Sequence, residues 1–118
     1  MRCLLLLPCI TTALKLSTRW AFATRPGEGN PARVALVDAL PEDCASVAQA
    51  AAEMPTAFVR AGADASYQIS YYAGDGSEMP FCGHATLAAA DAVLTDGGSA
   101  TLETASGKVV AASRAVWK

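Results

Sequence analysis

The stretch "MPFCGHATLAAADAVL" (residues 79–94) sets a thiol, a glycine and the only imidazole of the chain side by side, as Cys82, Gly83 and His84. They stand at the mouth of a predicted helix over residues 84–95, which "DGGS" (96–99) then ends. The first amide N–H groups of a helix have no acceptor within it. Such an end attracts a carboxylate or phosphate and lowers the proton affinity of a nearby imidazole. A neutral His84 there can donate a hydrogen bond or shuttle a proton. Cys82 beside the same positive end is biased towards thiolate. Gly83 lets the backbone come close to a ligand. A plainer reading stands beside this one: Thr86 and His84 cap the helix, and Cys82 is a small apolar filler.

The elements that must position these residues are legible in outline. "ALKLSTRWAFAT" (13–24) and "ARVALV" (32–37) read as strands, separated by the turn "RPGEGNP" (25–31), where Gly27, Gly29 and Asn30 tolerate positive φ. "DALPEDCASVAQAAAEM" (38–54) has a helical apolar stripe of Val47, Ala50, Ala51 and Met54, and Pro55 stops it. "TAFVRA" (56–61) and "YQISYYA" (67–73) read as strands, the second with Ile69 and Tyr71 on one face. "ATLETASGKVVAASR" (100–114) reads as a hairpin around Ser106 and Gly107. Several antiparallel strands with two helices make the fold class α+β.

Bulk properties narrow the function. The chain has 118 residues, 53% hydrophobic and 17% charged, enough for a packed core and against disorder. A net charge of −2 without a basic patch leaves no footprint for nucleic acid. The run Leu4–Leu7 is far too short to span a membrane. Cys3, Cys9, Cys44 and Cys82 show no CxxC spacing, and one histidine does not complete a zinc set. Free thiols in a reducing, cytoplasmic compartment are expected. Against this, Arg2, Lys15, Arg19 and Arg25 precede the first acid, Glu28, in the manner of a targeting leader. Residues 1–13 are therefore read as a leader or N-terminal extension and 14–118 as the folded unit.

"GNPARVALV", "AAEM" followed by "TAFV", "EMPFCGHATLAAA" and "ETASGKVV" stand in the order seen in the PhzF family of phenazine-biosynthesis-like isomerases. The resemblance runs from Ala21 to Ser113. It implies a fold similar to diaminopimelate epimerase: two pseudo-symmetric lobes, each an antiparallel sheet curled around a central helix, with the site between them. The 84–95 helix would be the central helix of one lobe. Its start, Gly83, His84 and Ala85, would bind the carboxylate side of a small substrate, with Asn30 close by. The implied chemistry is proton transfer at carbon, without metal or organic cofactor.

Two departures bear on that chemistry. The family reads "SETAFV", and its glutamate is the general acid/base; here Pro55 precedes Thr56 and no glutamate stands directly before it. Glu53 is the nearest substitute, although it matches the helical glutamate of "EM". The chain also stops at Lys118, where the first lobe should close; with the second lobe absent, the site is expected to be incomplete and the single lobe inactive, a homodimer imitating the two-lobe arrangement being the alternative. Cys82 stands where the related epimerases carry the first of two catalytic cysteines. Catalytic candidates are thus His84, Glu53 and Cys82; binding candidates are Gly83, His84, Ala85 and Asn30. The expectation from another class is a non-catalytic, truncated paralogue that binds an anion or a partner chain.

Overall fold

The computed structural model describes residues 14–21, 29–51 and 53–114. The expected leader (1–13), Cys3, Cys9 and Gly27 lie outside the described residues. Along the chain run β1 (Leu14–Ala21), β2 (Asn30–Val37), α1 (Cys44–Gln49), β3 (Thr56–Ala61), β4 (Ser66–Tyr72), β5 (Glu78–Met79), α2 (Gly83–Val93), β6 (Ser99–Thr104) and β7 (Val109–Ser113). The strands form one sheet in the order β1-β2-β3-β4-β6-β7, with the short β5 pairing the end of β4.

The class is α+β, as expected, but the sheet is mixed rather than wholly antiparallel. β2 pairs β3 in parallel, with Arg33 opposite Thr56, and β4 pairs β6 in parallel, with Ser66 opposite Thr101. Each parallel pair is joined through a helix, α1 in the first case and α2 in the second. A helix between two strands returns the chain to the same end of the sheet, which is why the pairing is parallel. The remaining neighbours pair antiparallel.

The helices lie on opposite faces. α2 packs Ala85, Ala88 and Ala89 on Ala32, Val34, Ala57, Val59, Ile69, Tyr71 and Leu102. Alanine there brings the helix close to the sheet. On the other face, Ala35, Val37 and Phe58 pack with Cys44 of α1. β3 is therefore covered on both sides, and Thr56–Val59 are buried without alternation. At its far end, Asp91 of α2 is held by Arg19 of β1, at 2.8 Å, and by Arg114.

α1 is shorter than the 38–54 helix expected. It starts late because Asp43 is its N-cap. It ends early as its last bonds tighten: Ala50 N donates to Val47 O (3.3 Å), and Arg33 reaches the same carbonyl with its side chain. The Ala51 amide turns to Ala48 O (3.0 Å), and Met54 N to Ala51 O (3.1 Å). Among the described residues, no helix is long and apolar enough to cross a membrane.

Candidate functional site

The start of α2 is unusual in what it does not do. Cys82 occupies the N-cap in extended conformation (φ −146°, ψ 113°), and its side chain caps nothing. Its sulfur instead lies 3.6 Å from His84 Nδ1, a hydrogen-bonding separation for sulfur. With the thiol donating, Nδ1 accepts and the ring proton sits on Nε2. The amides of Gly83, His84 and Ala85 have no acceptor in the helix. The first amide with an acceptor in the turn is that of Thr86, which donates to Cys82 O at 3.0 Å.

Thr86 does not cap as expected; it bonds back along the chain. Its hydroxyl donates to the same Cys82 carbonyl at 2.8 Å. The buried Tyr71 hydroxyl lies 2.5 Å from Thr86 Oγ1. Threonine has one hydroxyl proton, already given to Cys82 O, so Tyr71 is the donor in that contact. Burial pushes the Tyr71 phenol up despite the bond to Thr86, which keeps it protonated. The Tyr71 ring also meets Phe81 edge-on, 5.6 Å between centroids, and Lys108 Nζ lies 4.8 Å over the Phe81 ring.

An open cleft of about 250 Å³ lies at this helix start, and Glu53, Cys82 and His84 all line it. Its apolar walls include Met54, Pro55 and Met79. The loop after β4 closes another side with Ala73 and Gly74. That loop is held by an aspartate turn, in which Asp75 Oδ1 accepts from Ser77 N (2.8 Å) and Ser77 Oγ (2.6 Å). These bonds hold the Asp75 carboxyl below the usual range. Gln49 of α1 donates to Asp75 O at 2.8 Å. Gly76 suits that turn because its φ of +94° is a backbone conformation that side-chain-bearing residues rarely adopt. Among the described residues, no three of His, Cys, Asp and Glu gather to hold a metal ion.

Residues 20–116 match the family described as phenazine biosynthesis-like protein, PhzC–PhzF. Over 79 residues the chain is 37% identical to an uncharacterized isomerase, YfhB, of Bacillus subtilis, covering 65% of this chain and 27% of that protein. A PhzC/PhzF protein of Clostridium difficile superposes with a TM-score of 0.71 at 30% identity, over 84% of this chain and 39% of that one. A "predicted epimerase" of Pseudomonas aeruginosa superposes at 0.68 with 27% identity, over 84% and 37%. The chain belongs to the PhzC–PhzF family. It spans about a quarter of the curated relative's length and about two fifths of the solved structures'.

In this PhzF-like chain the expected residues separate into two groups. His84, Cys82 and Glu53 share the cleft, and Glu53 arrives there because successive turns after α1 carry the chain to Pro55, whose carbonyl accepts from Arg33 N (2.9 Å). Gly83 is exposed, and a Cβ on it would meet nothing within 4 Å, so the helix start has room for a ligand. Ala85, expected to bind, is wholly buried against the sheet and does not line the cleft, because its position on the helix turns it into the core. Asn30 is exposed and does not line the cleft; it begins β2, paired with Ala21, at the same end of the sheet as Pro55. Tyr71 was not singled out for the site. The signal available was a tyrosine on the buried face of a strand, whose hydroxyl needs a partner.

Proposed function

We propose that the chain supplies one half of the site of a cofactor-independent isomerase that moves a proton at a carbon atom of a small carboxylate substrate. The observation that carries this reading is the convergence of Glu53, Cys82 and His84 on one cleft at the uncapped start of α2. The free amides of Gly83 and His84 would take the carboxylate. His84, paired with Cys82, and Glu53, which lines the same cleft, are the groups that take or return the proton. A second lobe, or a second copy of this chain, would close the open side and exclude water.

The test is incubation of the protein with dihydro-hydroxyanthranilate in D₂O, with carbon-bound deuterium followed by NMR. Exchange above buffer is expected, rising more steeply than linearly with protein concentration as a second copy closes the cleft. Replacement of a positioned acid/base typically costs on the order of 10²–10⁴ in rate. His84→Ala is expected to lose exchange altogether, and Glu53→Gln to fall within that range. The second reading, a binding module without catalysis, is favoured by Pro55, which lines the cleft and cannot move a proton. Carboxylate binding without any exchange, from folded protein at every concentration, would decide for it.

A further inference from the structure

We infer that Tyr71 is a positioning residue for this site, acting through Thr86 to hold the start of α2 open towards the cleft. The inference takes its use from the proposed function, but its geometry stands alone.

A helix start normally gains stability from an N-cap side chain that accepts from the first-turn amides. Here that side chain is a thiol turned to His84, and the helix start lacks this bond. The compensation comes from inside the core. Tyr71 donates to Thr86 Oγ1, and Thr86 donates through both its hydroxyl and its amide to Cys82 O. Tyr71 also packs against Phe81, so it touches the residue before Cys82 and, through Thr86, fixes the Cys82 carbonyl itself. Both bonds lie on the core side of the helix, where Tyr71 and Thr86 are buried. The cleft side is left to Cys82 and His84, which line it, beside the exposed Gly83. A conventional cap would satisfy the first-turn amides and compete with a bound carboxylate. The Tyr71–Thr86 pair anchors the same turn without doing so.

The test compares wild type with Tyr71→Phe, Thr86→Val and Thr86→Ser, using amide hydrogen exchange by NMR and titration with anthranilate, a small aromatic carboxylate. Tyr71→Phe keeps the buried ring and removes the donor. The expected result is exchange at the residue 86 amide faster by about tenfold or more, with the Leu94 amide at the other end of α2 unchanged. Anthranilate shifts at the Gly83 and His84 amides should then need several-fold more ligand. Thr86→Val should do the same, and Thr86→Ser, which keeps the hydroxyl, should behave as wild type. Exchange and binding unchanged in both Tyr71→Phe and Thr86→Val would overturn the inference. So would an equal rise at residue 86 and Leu94, which would make Tyr71 only a packing residue. If Tyr71→Phe does not fold, Thr86→Val and its Ser counterpart decide alone. Local loosening in protein that never binds anthranilate would uphold the positioning and sink the proposed carboxylate site, so the two failures are separable.

Discussion

The two helices of this lobe start in opposite ways. α1 begins on Asp43, whose carboxylate accepts from Ser46 N (3.0 Å) and from Ser46 Oγ (2.7 Å). That start is closed: its cap lies over the first turn. α2 begins on Cys82, whose side chain leaves the amides alone and faces His84. Neither helix carries an acid in its first turn to complement the dipole. Under the proposed function the difference decides where a carboxylate would go: the cap of α1 occupies its first turn, while the start of α2 leaves its first amides without a side-chain acceptor and takes its support from elsewhere. In α2 that support comes from Tyr71, Thr86 and the buried alanine face.

The strongest way to break the comparison is to close α2 as α1 is closed. Cys82→Asp places a carboxylate at the N-cap, able to accept from the amides it now leaves free. The helix should gain stability, seen as a rise of several degrees in Tm by calorimetry. Anthranilate binding should weaken by on the order of tenfold or more, because two negative charges a few ångströms apart near a protein surface repel by several kcal/mol. Binding that survives the substitution would mean the amides of Gly83 and His84 are not the anion site, and the contrast between the helix starts would lose its functional meaning.

A smaller effect sharpens the same contrast through the two described cysteines. Each sits at a helix start, Cys82 partly exposed beside the cleft and Cys44 buried. Cys44 Sγ donates to Pro41 O at 3.3 Å, and burial pushes its thiol up. Iodoacetamide should therefore label Cys82 in the native protein, with Cys44 reacting slower by on the order of 10²-fold, through opening of the fold. Peptide mass spectrometry over a time course measures both rates at once. Equal rates would show that the face of the sheet under α1 is as open as the cleft.

How far the sequence foretold this arrangement follows from which forces are local. "TAFVRA" forms β3 at the residues expected, and β4 and α2 fall within one or two residues of theirs, because the short apolar run after Pro55, the alternation of β4 and the Asp96–Gly98 turn are written in adjacent positions. The end of α1 was not legible, since alanine-rich residues 48–52 favour helix while the turns there tighten to three-residue bonds, with Arg33 reaching the Val47 carbonyl from fourteen residues away. The parallel pairs were missed although strand–helix–strand order signals them. At the site, Cys82, Gly83 and His84 are contiguous and were found together. Glu53 was a weak candidate on sequence, because only the turns after α1 bring it to the cleft. Asn30 was placed beside the site by resemblance and stands outside the cleft lining. Tyr71 lies fifteen residues from Thr86, and the bond between them is a product of packing β4 against α2.

The smallest expected effect belongs to opening α1. Asp43→Ala removes the cap and should lower Tm by a few degrees at neutral pH. The hydrogen bonds from Ser46 hold the Asp43 carboxyl below its ordinary value. A carboxyl depressed in the folded state contributes stability that is present above its unfolded value, about pH 4, and is lost as pH falls through the lower folded one. The Tm gap between wild type and Asp43→Ala should therefore be full at pH 7 and narrow below pH 4. Anthranilate binding should stay within about twofold, since the first turn of α1 is remote from the tie that matters to the cleft. That tie is at its other end, where Gln49 holds the Asp75 loop and a frayed N-terminus propagates weakly along a helix packed on the sheet. A larger loss of binding would show that the closed helix start supports the open one, and that the two halves of the lobe are coupled through Gln49 and the loop wall.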